Sequence, residues 1–248
     1  MLGSKGRFVR SNRPADSEVH VWSVRLAAIE QHWPDWQQVL SVDEIAKIDR
    51  FVRASDRNRS GTTRALLRRL LGGYLEIRPA EVRFSYNRFG KPGLAPANIP
   101  DPLRFSVSHS GAFAMFGFAR GRLIGVDVEA IRADWNYRDL AAAICTERES
   151  KTLELLEEPR RAGELGCYWT LKEAYLKAIG VGLSFPYRRI EVAGPMLGVE
   201  NPRRQYTLNV RGRWSVFPIR DIPESAGAVV VAGEAVRLSR YSMDWDPE

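Results

Sequence analysis

The sequence is poor in the side chains from which soft metal centres and disulfide scaffolds are built. Among its 248 residues are two cysteines and three histidines. Cys145 and Cys167 are too few for a disulfide framework and too widely spaced for a zinc knuckle, so they read as structural thiols. Three histidines exclude a histidine-rich metal site. A metal here must be held by oxygen, which points to magnesium, manganese or calcium. Apolar runs of membrane-spanning length are also lacking. The opening MLGSKGRFVRSNRP is basic and polar with no apolar segment behind it, and reads as a disordered basic arm rather than a secretory signal. The expectation is a cytoplasmic protein with no membrane partner.

What is present is enough to fold. Hydrophobic residues make up 44% and aromatics 10%, sufficient for one large domain or two small ones. The net charge of +7 suits nucleic acid, phosphorylated metabolites or an acidic protein. Charge alone leaves these three open, along with a merely solvated surface. No basic stripe interleaved with stacking aromatics is visible, nor a helix-turn-helix or OB pattern, which argues against nucleic acid.

Strands are expected at 18–26, 81–87 and 104–119, and in four short segments after residue 187. Helices are expected at 41–52, which opens on a Ser41/Glu44 capping box, and from about Ser55, where Leu66, Leu67, Leu70, Leu71 and Tyr74 recur at helical spacing. Gly72–Gly73 should weaken the end of that helix. A third helical stretch runs over 136–158 and a fourth over 163–182. The turn RGR at 120–122 makes 112–130 read as a β-hairpin, and SMDWDPE at the end reads as frayed. Strands come in groups, which favours α+β over a doubly wound sheet. Both halves have a similar plan, dividing into residues 1–121 and 122–248.

Three short stretches carry chemistry. In LIGVDVEAI, Ile124, Val126 and Val128 form one face of a strand while Asp127 and Glu129 share the other. Carboxylates are poor strand formers, so the pair asks for a reason; a solvated edge strand is the plain one. In SVSHSG, Ser108 and His109 suggest a polar strand end. A serine nucleophile is disfavoured because no G-x-S-x-G elbow is present. In WTLKEAYLKAIGVG, Glu173 and Lys177 lie four residues apart on one helix face, where an ordinary surface ion pair is the plain reading.

In series, the three stretches resemble the Sfp-type 4′-phosphopantetheinyl transferases. That family shows a serine–histidine–serine stretch, then G-[IV]-D-[IV]-E, then W-[ST]-x-K-E-[AS]-x-x-K-x-x-G-x-G-L, and a G-K-P turn that appears here as FGKPGL. The resemblance runs from about Glu44 to Pro186. It implies two similar α+β subdomains related by a pseudo-twofold, with the active site in the cleft between them. It further implies a monomer that moves phosphopantetheine from coenzyme A to a serine of an apo acyl, peptidyl or aryl carrier protein, releasing 3′,5′-ADP. Magnesium, or manganese in its place, would sit on the diphosphate.

The resemblance also assigns residues. Asp127, Glu129 and Glu173 match the metal-binding carboxylates. Lys177 matches the lysine on the phosphates, and Lys172 belongs to the same K-E element. Lys91 of the G-K-P turn matches a cofactor-binding lysine. Ser108 and His109 match the pair on the cofactor phosphates, His109 toward the 3′-phosphate. Lys47 and Arg59 fall where the family has basic residues for that phosphate, while Glu44 stands where some members carry a lysine. Glu147 matches a glutamate proposed as the base, with Glu173 or metal-bound water as alternatives. The basic balance would suit an acidic carrier.

Overall fold

The computed structural model describes residues 13–29, 33–96, 103–132, 136–182, 185–194 and 206–243. The chain opens with strand β1 (Glu18–Arg25), the short helices α1 (Trp33–Trp36) and α2 (Val42–Ile48), and the long helix α3 (Ala54–Leu75). A hairpin of β2 (Phe84–Tyr86) and β3 (Pro92–Leu94) follows, then β4 (Leu103–Ser110) and β5 (Phe113–Arg120). The order then repeats. Strand β6 (Ile124–Ala130) leads to α4 (Tyr137–Ile144), α5 (Glu147–Glu154) and the long helix α6 (Arg160–Ile179). After these come a second pair, β7 (Glu191–Ala193) and β8 (Thr207–Asn209), and the strands β9 (Trp214–Ile219), β10 (Ser225–Ala232) and β11 (Arg237–Met243).

The sheets repeat as well. One carries the order β1-β5-β4 and the other β6-β10-β9, antiparallel throughout. Strand β11 breaks the repeat by pairing parallel with β1 in the first sheet. The two sheets share an apolar layer in which Val19, Val21, Met115 and Ala119 meet Ile124, Val126, Val128, Val229 and Val231. The opposite face of each sheet lies under its own long helix. Trp22, Val24, Phe116 and Phe118 pack with Leu66, Leu67, Leu70 and Leu71 of α3. Ala228 and Val230 pack with Leu171, Ala174 and Tyr175 of α6. The fold is therefore α+β, and both sheets bury both faces, which explains the continuous apolar runs of β5 and β10.

A second repeat sits at the short helices. Ser41 caps α2 and Thr146 caps α5, each in a reciprocal capping box with a glutamate three residues on. Both glutamates are buried and reach a cation on the long helix of their half. Arg68 Nε lies 2.7 Å from Glu44 Oε2, and Lys172 Nζ lies 2.6 Å from Glu149 Oε2. One glutamate thus satisfies a helix start and locks it to the long helix.

Two expectations are corrected. The hairpin is β4–β5, turning at Gly111–Ala112, and β5 does not pair with β6. Because β5 already has β1 and β4 on its edges, the turn at 120–122 carries the chain to the facing sheet instead. Strand β11 takes up Ser242 and Met243, which the frayed reading had included; residues 244–248 lie outside the described ones. Helix α3 runs through Gly72–Gly73 and stops at Glu76, which adopts the left-handed conformation (φ 58°).

Candidate active site

The site forms where α6 crosses β6. A Cβ at Gly125 would lie 1.8 Å from the Ala174 carbonyl oxygen and 2.6 Å from Ala178 N. No other residue allows the helix this close, and the closeness sets Glu173 and Lys177 beside Asp127, the next residue on that face of β6. Asp127 is 1% exposed. Its Oδ1 accepts from Lys177 Nζ at 2.6 Å and from Ser108 Oγ at 2.8 Å. Its Oδ2 is buried without a hydrogen-bond partner. Lys177 also donates to Ser108 Oγ at 2.8 Å. The solvated edge strand and the surface Glu173–Lys177 pair are thereby corrected: Asp127 is interior, and Lys177 makes its ion pair with Asp127.

Strand β4 runs beside β6 and is tied to it by serine side chains. Val126 N–H donates to Ser106 Oγ at 3.1 Å, Ser108 donates to Asp127, and Ser110 Oγ donates to Glu129 Oε2 at 2.8 Å while accepting from Ala130 N–H at 3.2 Å. Every second residue of SVSHS thus faces β6, so the alternation of serines in the sequence is a row of cross-strand hydroxyls.

The three carboxylates feel one another. Burial first, then the charge of Asp127, pushes Glu129 up to about 7, against the Ser110 hydrogen bond. Burial also raises Glu173, aided by Asp127 and opposed by hydrogen bonds from Tyr187 and Trp169. Tyr187 donates its phenol proton to Glu173 Oε1. Crowded, buried carboxylates with an unpartnered oxygen fit a hard cation such as magnesium or manganese. Among the described residues, no group of three or more His, Cys, Asp or Glu side chains closes into a ready metal cage.

A basic face adjoins. His109 lies beside Arg59 and Lys177, with Asp56 near; its packed surroundings, then the two cations, push its imidazole below its ordinary value. Arg59 is within 3.5 Å of Asp56. Lys47 rests over the Tyr86 ring, 5.0 Å from its centre. Lys91 donates to the Ala178 carbonyl at 2.9 Å and to the Ile124 carbonyl at 3.3 Å, and Asn87 donates to Gly180 O at 2.8 Å, so the G-K-P turn clamps the end of α6. Burial lowers Lys91 to about 8. A cavity of about 300 Å³ opens between this turn, β4 and α6, lined by Phe89, Lys91, Phe105, Glu173 and Lys177.

Two predicted residues fall elsewhere. Lys172 is 0% exposed and spends its ammonium on Glu149 and, at 2.8 Å, on the Ile144 carbonyl. It points away from Lys177 and cannot reach a ligand in the cleft, so its cofactor role is withdrawn. Glu147 has an 81% exposed side chain and pairs with Lys151 at 2.6 Å on the surface of α5. The structure does not bring it into the carboxylate group. Glu44, the departure from the family's lysine, is the counterpart of Glu149 and belongs to the frame of the fold. Sequence reasoning missed Ser106, Ser110 and Tyr187; only the serine alternation could have signalled the first two.

An acidic cluster with a spare oxygen, facing a basic cluster across the meeting of two half-molecules, defines a site suited to a phosphorylated ligand and a cation. Residues 25–118 match the model described as 4′-phosphopantetheinyl transferase, N-terminal, and residues 123–227 match the 4′-phosphopantetheinyl transferase superfamily. The chain is 34% identical over 216 residues to the 4′-phosphopantetheinyl transferase HetI of Nostoc sp., covering 87% of this chain and 88% of that protein. It is 26% identical over 147 residues to the 4′-phosphopantetheinyl transferase Sfp of Bacillus subtilis, covering 59% and 63%. A holo-(acyl-carrier-protein) synthase from Bacillus anthracis in complex with CoA overlaps 44% of this chain and 93% of its own, at 25% identity and a TM-score of 0.36, too low to carry an argument. The chain belongs to the 4′-phosphopantetheinyl transferase superfamily.

Proposed function

We propose that the cleft at β6 and α6 is the active site of this enzyme, which transfers 4′-phosphopantetheine from coenzyme A to a carrier-protein serine. The observation that carries the placement is Asp127, buried, held on one oxygen by Lys177 and Ser108, and unpartnered on the other. The two halves, dividing near Arg120–Arg122, act as a pseudo-twofold pair with the cleft between them, and the enzyme works as a cytoplasmic monomer. No described helix is long and apolar enough to cross a membrane.

The serine oxygen attacks the β-phosphorus of coenzyme A. A new O–P bond forms as the bond from that phosphorus to the bridging oxygen breaks, and the bridging oxygen leaves on 3′,5′-ADP. Such a transfer is governed by charge neutralisation and positioning. Magnesium or manganese, held by Asp127, Glu129 and Glu173, would neutralise diphosphate charge. Lys177 and Ser108 meet the phosphates beside Asp127. Arg59, His109 and Lys47 receive the 3′-phosphate. Lys91 holds the cofactor side of the cleft from the G-K-P turn. Glu173, at the edge of the cleft, takes the serine proton in place of Glu147, which stands on the surface with Lys151.

The test is incubation with coenzyme A, magnesium and apo carriers of the acyl, peptidyl and aryl types, followed by mass spectrometry. The expected result is a phosphopantetheine mass gain on at least one carrier; no gain on any would contradict the reading.

A further inference from the structure

Each of the three carboxylates has one oxygen taken by a hydroxyl from a different part of the chain. Ser108 of β4 donates to Asp127 Oδ1, Ser110 of β4 to Glu129 Oε2, and Tyr187 to Glu173 Oε1. We propose that Ser110 and Tyr187 are positioning residues that aim Glu129 and Glu173 at one divalent cation. This rests on the metal reading above and adds two residues to it.

The geometry makes both hydroxyls one-way. Ser110 Oγ accepts from Ala130 N–H, so its own proton is directed to Glu129. Tyr187 places its hydroxyl on Glu173 Oε1, and a phenol beside a carboxylate has its proton to give, so it acts as a donor toward Glu173. Neither hydroxyl is loosely placed. Ser110 is the last residue of β4, fixed opposite Phe113 by the hairpin register. Tyr187 opens a single helical turn whose last carbonyl contact runs from Ile190 N–H to Tyr187 O at 2.9 Å. Ile190 is fully buried, and Arg188 Nε holds the Cys145 carbonyl at 3.1 Å, so the turn is nailed down on both sides of the phenol. A carboxylate with one oxygen occupied by a fixed donor cannot rotate freely, and its second oxygen is presented in one direction. Side chains that orient metal ligands in this way change metal affinity by roughly 10–100-fold when removed. The donors come from both halves of the molecule: β4 supplies the serines, and the segment after α6 supplies the tyrosine.

The test uses the full chain loaded with coenzyme A and no carrier, so that nothing turns over. Binding of Mn²⁺ is measured by electron paramagnetic resonance for the unaltered protein, Tyr187→Phe, Ser110→Ala and Ser110→Thr. Expected is a loss of Mn²⁺ affinity of roughly tenfold or more in Tyr187→Phe and Ser110→Ala, with recovery in Ser110→Thr and melting temperatures that show all variants folded. In transfer assays the same two variants lower kcat more than they raise the KM for coenzyme A. Unchanged Mn²⁺ affinity in folded Tyr187→Phe and Ser110→Ala would overturn the positioning role while leaving the metal site intact. Failure of the unaltered protein to bind Mn²⁺ would overturn both.

Discussion

Strands β1 and β6 hold equivalent places in the two halves, yet the faces they turn to their long helices are opposite in character. On β1, His20 Nδ1 and Trp22 Nε1 both lie 2.9 Å from the Tyr74 hydroxyl of α3, deep in the protein, and Tyr241 stacks on Trp22. That network is closed. On β6 the same face carries Gly125, Asp127 and Glu129, and a buried Asp127 oxygen is left without a partner. The outer edges differ too. Strand β1 is sealed by a backbone ladder with β11, whereas β6 meets β4 through serine hydroxyls. The β1 face satisfies His20 and Trp22 through Tyr74 and becomes frame. The β6 face leaves a buried carboxylate oxygen unpartnered, which suits a site that a ligand completes.

Substitutions on β6 break the comparison most strongly. Asp127→Asn is expected to lower transfer by roughly 10²–10³-fold with the protein still folded, because the side chain keeps its place beside Lys177 and Ser108 while the charge that would face the cation is removed. A loss of stability with activity retained would reverse the assignment of frame and site. Gly125→Ala follows. Its Cβ has no room beneath α6, and overpacking of this kind costs about 1–3 kcal/mol or more, read as a fall in the denaturation midpoint with loss of transfer.

Lys172→Met tests the frame. Breaking one side of a buried ion pair costs about 3–5 kcal/mol, so the midpoint should fall. The double variant with Glu149→Gln, which removes the stranded charge and keeps an oxygen for the Thr146 or Val192 N–H, should recover part of it, and the KM for coenzyme A should stay unchanged in folded material. A large rise in that KM would restore Lys172 to the cofactor.

A pH effect comes next. Glu129 binds its proton more tightly folded, with a pKa of about 7, than unfolded, near 4.5. Without metal, the folded state therefore holds the extra proton across that window, and stability falls as pH rises from about 4.5 to 7. Chemical denaturation should show a shallower fall in Glu129→Gln, and added magnesium should shrink the difference. The smallest change is expected for Glu147→Gln, with transfer within about threefold of the unaltered protein, since it breaks only an exposed pair. A drop comparable to Glu173→Gln would return the base to Glu147.

The local patterns were readable in the sequence because their causes are local. The Ser41/Glu44 box, the leucine spacing of the long helix and the alternation of LIGVDVEAI all appear as read. Pairing across distance was not readable. The faces of β5 and β6 have the same apolar alternation whether the strands lie side by side or stack, so the hairpin was misplaced. Lys172 shares its motif with site residues, and only the fold shows that it points to the capping glutamate of α5. Tyr187 has no spacing relation to Glu173 that a sequence could display; the turn after α6 brings them together. The carboxylates stood out because they contradict the strand they occupy.

The central claim is that Asp127, Glu129 and Glu173 serve phosphopantetheine transfer by holding a divalent cation. The most direct measurement is the intact mass of an apo carrier after incubation with this protein and coenzyme A, with magnesium in one arm and excess EDTA in the other. The account predicts a phosphopantetheine mass gain with magnesium, none with EDTA, and recovery when magnesium is restored. A mass gain that survives EDTA undiminished would contradict it.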